Sequence, residues 1–125
     1  MTIWYSMNTI DMYTIVETEQ FIKESEKLLS ESEKSQLFEY LAKNPKKGDL
    51  IPGTGGVRKL RFANKGKGKR SGVRVIYYFY NENNPVFLFD IYGKNQTIDL
   101  SNEDKKILYS IVKEMKNFMQ GTKND

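Results

Sequence analysis

The stretch Arg58–Tyr78 reads RKLRFANKGKGKRSGVRVIYY. Two runs rich in β-branched and aromatic residues flank a loop of lysine and glycine, which is the pattern of a β-hairpin. Side chains alternate faces along a strand. In 57–63 one face carries Arg58, Leu60 and Phe62, and the other Val57, Lys59, Arg61 and Ala63. In 72–80 one face carries Val73, Val75, Tyr77 and Phe79, and the other Arg74, Ile76, Tyr78 and Tyr80. An unpaired cation inside a core is costly. The lower-cost register therefore buries Leu60, Phe62 and the Val73 to Phe79 set. It sends Lys59, Arg61 and Arg74 together to an open face, with tyrosines beside them.

The remaining elements assemble around this hairpin. YTIVET (13–18) alternates and predicts a strand. From Glu19 the period changes, and Phe21, Ile22, Ser25, Leu28 and Leu29 share a helical face. Ser30-Glu31-Ser32-Glu33 is a capping box for a second helix, which Asn44-Pro45 ends. LIPGTGG (50–56) is turn chemistry. VFLFDIYG (86–93) predicts another strand, joined to 72–80 by the polar loop NENNP. Ser101 caps a final helix with an apolar stripe of Ile107, Leu108, Ile111, Val112, Met115, Phe118 and Met119. The order β-α-α-β-β-β-α argues for an α+β fold: a small antiparallel sheet with helices packed on one side. A length of 125 residues suits one domain, with residues 1–12 a loose leader, an extra strand or an upstream start.

Composition narrows the chemistry. The chain has no Cys and no His, which removes disulfides, zinc-thiolate sites and the commonest general base. Catalysis would run on Lys, Arg, Tyr, carboxylates, Ser or backbone groups, with no metal and no cofactor expected. No apolar run approaches a membrane span, and the start lacks the basic and apolar regions of a secretory signal. A cytoplasmic protein is expected. The net charge of +4 hides a polarised distribution: residues 1–45 hold four Lys against eight acids, whereas 46–74 hold ten Lys or Arg against one acid, Asp49. Such a block is the electrostatic footprint of a nucleic-acid contact. Besides the strand cations it includes Arg58 and the loop residues Lys65, Lys67, Lys69 and Arg70. The spacing Gly66-x-Gly68 followed by Gly72 lies between strands and does not match a dinucleotide fingerprint.

The run NPKKGDLIPGTGGVRKLRFANKGKGKRSGVRVIYYFYNENNPVFLFDIYGKN (44–95) resembles the HigB-type toxins of the RelE/ParE superfamily. The pieces that carry the likeness are NP-x-x-GD, GTGG-x-RK, GKGKR-x-G, R-x-IYYF and IYGKN. The resemblance implies a RelE-like fold and the toxin of a type II toxin–antitoxin pair. It implies a ribosome-dependent mRNA endonuclease, neutralised by a cognate helix-turn-helix antitoxin whose complex binds operator DNA. The expected partners are thus the ribosome with its mRNA and the antitoxin, and operator DNA only through the complex. Carried over by position, the basic residues of the RNA-cutting branch fall on Lys59, Arg61, Arg74 and Lys94, with Tyr92 in the adjoining nucleic-acid-binding segment. Asn95 stands where the pattern has another arginine, and Leu100-Ser101 where it has a tyrosine. Two alternatives stay open: a ParE-like DNA gyrase inhibitor, and a non-catalytic RNA-binding module.

RNA can be cut without metal when its own 2′-OH attacks the neighbouring phosphate. Arginine forks suit the phosphate oxygens, and charge on the phosphorane calls for fixed cations. Arg61 and Arg74 fit that role. Neighbouring cations disfavour the charged form of a lysine, so Lys59 is the candidate for proton transfer, with Lys94 in support.

Overall fold

A computed structural model describes residues 3–6, 14–63, 72–93, 96 and 100–121. The elements are β1 (Ile3–Ser6), β2 (Ile15–Thr18), α1 (Glu19–Leu28), α2 (Glu31–Lys43), β3 (Asp49–Leu50), β4 (Val57–Ala63), β5 (Gly72–Phe79), β6 (Val86–Gly93) and α3 (Asn102–Gly121). Six strands form one sheet in the order β1-β2-β6-β5-β4-β3. Of the options for the first dozen residues, Ile3–Ser6 take the extra strand, paired antiparallel to β2.

Two expectations are corrected. The sheet is mixed, because β2 runs parallel to β6. Parallel neighbours need a long crossover; here the α1–α2 hairpin and strands β3, β4 and β5 together provide it. The helices also lie on both faces. The run Val75-Ile76-Tyr77-Tyr78-Phe79 is buried residue by residue, and a strand apolar on both sides needs cover on both. The α1–α2 face packs Phe21, Leu37, Phe38 and Leu41 against Leu60, Val75, Tyr77, Leu88 and Ile91. The α3 face packs Val112 and Met119 over Val57, Ile76 and Tyr78.

Local chemistry fixes the helix ends. Thr18 caps α1: its Oγ1 accepts from Phe21 N–H at 3.2 Å and lies 3.0 Å from the Leu88 and Phe89 carbonyls. One hydroxyl thus joins β2, α1 and β6. Ser30 and Glu33 form the expected capping box of α2. Ser101 and Asp104 exchange the same pair of bonds at α3, with Asp in place of Glu. Lys34 of α2 meets the buried Glu17 carboxylate at 2.7 Å and sits over the rings of Phe21 and Phe38. This charge is thereby matched where a lone carboxylate would be costly.

Candidate nucleic-acid interface

The site is set by register. In the β4–β5 ladder Lys59 opposes Ile76 and Arg61 opposes Arg74. In the β5–β6 ladder Arg74 opposes Tyr92 and Ile76 opposes Asp90. Directly opposed residues share a face, so Lys59, Arg61 and Arg74 project from the same side of the sheet. Lys59 and Arg61 are exposed, and Arg74 is half-buried. Directly opposed like charges destabilise a sheet. Among the described residues the ion pairs are Lys27–Glu24, Lys34–Glu17 and Lys43–Glu39, none of them at this cluster. Among the described residues, two arginines thus oppose each other with no carboxylate ion-paired to either.

This face is not open along its length, as the alternation alone implied. α3 roofs the Val57–Ile76–Tyr78 end and leaves the Lys59–Arg61–Arg74 end free of that cover. The glycine turn before β4 makes room for the roof. Gly55 and Gly56 have φ of +79° and +125°, conformations that side-chain-bearing residues rarely adopt. A Cβ on Gly55 would lie 3.1 Å from Tyr109 of α3, and one on Gly56 would lie 3.2 Å from Tyr78. Tyr78 is 2% exposed, and burial pushes its hydroxyl up to about 12.

Other residues singled out by sequence take different places. Arg58 leaves from the opposite face, and its Nη1 donates to the Lys46 carbonyl at 3.1 Å and the Gly48 carbonyl at 2.7 Å. It acts as a strut for the loop before β3 and does not join the cluster. Tyr77 braces the same loop: its hydroxyl accepts from Gly48 N–H and donates to the Pro45 carbonyl, both at 2.8 Å. Burial raises its pKa. Tyr92 is 7% exposed and packs with Ile76 and Tyr78, so it offers little ring face to a base. Lys65, Lys67, Lys69, Arg70 and Lys94 lie outside the described residues.

Two carboxylates on the flanking strands were missed by sequence reasoning. Asp49 opposes Lys59 in the β3–β4 ladder without an ion pair between them. The NP-x-x-GD motif contained it, but its short strand was not foreseen. Asp90 sits where the β5–β6 register shifts, half-buried, accepting from its own neighbour Ile91 N–H at 2.8 Å and from Gln20 at 3.4 Å. Burial raises its pKa from the ordinary aspartate value, against the lowering effect of these two hydrogen bonds. Among the described residues no three His, Cys, Asp or Glu gather as metal ligands would, and no helix is long and apolar enough to cross a membrane.

A family model described as the RelE toxin of the RelE/RelB toxin–antitoxin system matches residues 13–123. The chain belongs to the RelE toxin family. The match takes in β2 through α3, and with them the three-strand meander that carries the cations. A RelE-family toxin is one half of a toxin–antitoxin pair, is generally a translation-inhibiting endonuclease, and implies a cognate antitoxin.

Proposed function

We propose that this RelE-family protein is a HigB-type, ribosome-dependent mRNA endonuclease whose active centre is built on Lys59, Arg61 and Arg74. The observation that carries the reading is the direct opposition of Arg61 and Arg74, with Lys59 one alternation away on the same face. Directly opposed like charges weaken a sheet, and among the described residues no carboxylate is ion-paired to either arginine, so the arrangement is better explained by a bound anion than by stability. A phosphate placed over the pair turns the repulsion into attraction, and each arginine supplies a fork of donors to its oxygens.

In this mechanism the 2′-OH of the nucleotide attacks the adjacent phosphorus. A P–O bond forms to the 2′-oxygen and the P–O bond to the 5′-oxygen breaks. The products are a cyclic phosphate and a free 5′-hydroxyl, with no metal required. Arg61 and Arg74 stabilise the added negative charge of the phosphorane. Lys59, at the rim of the pair, moves the proton. The ribosome holds the mRNA in line for attack, which removes much of the alignment cost. The protein works in the cytoplasm, where translating ribosomes are, and reaches operator DNA only through its antitoxin.

The test is translation of a defined mRNA in a purified system with and without the protein, followed by mapping of mRNA ends. The reading expects new 5′ ends in register with codons, only when ribosomes are present. Uncut mRNA, or cuts in naked RNA at equal rate, would overturn it.

A further inference from the structure

Asp49 is the one acid in the cationic block 46–74, and the fold sets it beside Lys59. β3 is the last strand of the sheet, and in its ladder with β4 Asp49 stands directly opposite Lys59. Opposed residues share a face, with Cβ atoms about 4.5–5.5 Å apart. The carboxylate therefore leaves from the same side as Lys59, Arg61 and Arg74, on the outer flank of the cluster. Asp49 and Lys59 are both exposed. A cross-strand ion pair kept for stability would be closed, yet among the described residues the ion pairs include neither of them. Both groups are left free to meet something else.

The backbone on either side of Asp49 is anchored. Gly48 N–H donates to the Tyr77 hydroxyl at 2.8 Å, and the Gly48 carbonyl accepts from Arg58 Nη1 at 2.7 Å. A Cβ on Gly48 would lie 2.8 Å from the Tyr77 side chain and 3.0 Å from the Lys59 carbonyl, so a glycine is what lets this segment come so close to β4 and β5. On the other side Ile51 N–H donates to the Val57 carbonyl at 2.9 Å. A two-residue edge strand does not need such anchoring to finish a sheet. A reacting group does, because a misplacement of about 1 Å can cost on the order of a hundredfold in rate.

Cleavage by a 2′-OH needs two proton transfers on opposite sides of phosphorus, one off the attacking oxygen and one onto the leaving oxygen. One side chain does not serve both at once. A carboxylate accepts, and an ammonium donates, in the forms they hold at neutral pH. We propose that Asp49 is the general base of the reaction, with Lys59 as the general acid. The Asp49 carboxylate takes the 2′-OH proton as the 2′-oxygen bonds to phosphorus. The Lys59 ammonium gives a proton to the 5′-oxygen as its bond to phosphorus breaks. Asp49 ends protonated and Lys59 neutral, and exchange with water at the open sheet edge restores both. Arg61 and Arg74 hold the phosphate oxygens between them throughout. The proposal rests on the nuclease reading and divides the proton steps within it.

The experiment measures single-turnover cleavage of a defined mRNA on programmed ribosomes, with the full chain in excess over a range of concentrations. Asp49→Asn keeps the shape of an exposed side chain, so circular dichroism and the melting midpoint should match the wild type. Its maximal rate should fall about a hundredfold or more, while the half-saturating concentration changes less than about threefold. Asp49→Glu should recover at least roughly a tenth of the wild-type rate, since the longer carboxylate still accepts a proton. An mRNA with sulfur in place of the 5′-bridging oxygen at the cut site separates the two roles, because a thiolate leaves without a proton. On that substrate the defect of Lys59→Met should largely vanish and that of Asp49→Asn should persist. A folded Asp49→Asn that cuts the ordinary mRNA as fast as wild type overturns the proposal. So does a loss confined to the half-saturating concentration, or one that disappears on the sulfur substrate. Failure of the nuclease reading looks different: the wild-type protein itself leaves the mRNA intact, and both readings fall together.

Discussion

Replacing Arg61 by Gln should stabilise the fold while disabling the site. Arg61 and Arg74 are directly opposed, and opposed like charges in a sheet cost roughly 0.2–1 kcal/mol. For two unit charges held ~7 Å apart, Coulomb's law at water's dielectric constant would give about 0.6 kcal/mol, inside that range. Gln keeps part of the stem and can still sit on an exposed strand. For a chain of this size the melting midpoint moves roughly 3–6 °C per kcal/mol, so a rise of about 2–4 °C is expected at low ionic strength. At 1 M salt the screening length falls to ~3 Å, and the rise should fade. In the same preparations, losing one charge-assisted phosphate contact, ~1.5–3 kcal/mol, should slow mRNA cleavage on the ribosome roughly ten- to hundredfold. Thermal melts at two salt concentrations and a cleavage time course give all three numbers. A midpoint that falls, or a rise indifferent to salt, would refute the claim that these side chains repel each other in the folded protein.

Three further outcomes follow from the same geometry. Arg74→Glu should abolish growth arrest on induction while the circular dichroism spectrum stays that of the wild type; folded variant that still stops growth removes Arg74 from the site. Tyr77→Phe leaves the Gly48 N–H and the Pro45 carbonyl without their shared hydroxyl, a loss of about 1–3 kcal/mol. It should lower the urea midpoint without changing the slope, and no measurable shift would mean that Arg58 alone holds the loop. Asp90 has a folded pKa raised by burial, so its ionised form is penalised in the fold, and stability is lost as pH rises through that interval. Asp90→Asn should therefore be more stable than wild type at neutral pH, with the advantage vanishing below the ordinary aspartate range. A constant difference across pH would point to shape and not charge.

Much of the meander was legible because its strands alternate cleanly. Lys59 and Arg61 interrupt an apolar run at every second residue, and only one register keeps them out of a core. The caps at Ser30 and Ser101 were legible for a related reason, since the bonds they make are local to three residues. What failed was non-local. Nothing in YTIVET says that its partner is β6 or that the pairing is parallel, because a four-residue strand carries no mark of its neighbour's direction. The burial of both faces of β5 was written in Val75-Ile76-Tyr77-Tyr78-Phe79, a run without polar interruption, but the alternation around it suggested a one-sided sheet. Arg58 was grouped with the cluster on charge, although its place on the Leu60 face already put it elsewhere. Its role as a strut depends on carbonyls at Lys46 and Gly48, ten or more residues away in the chain.

The parallel pairing of β2 with β6 bears on how the protein comes off the ribosome that made it. Thr18 cannot reach the Leu88 and Phe89 carbonyls until those residues have been synthesised, which takes ~4–14 s at the usual elongation rates. Through that interval the β4–β5 hairpin emerges with its cations while β2, two places away, has β1 beside it but not yet β6. Contacts so distant in sequence also slow folding itself. A nascent chain therefore exposes its cationic hairpin before the sheet that frames it has closed.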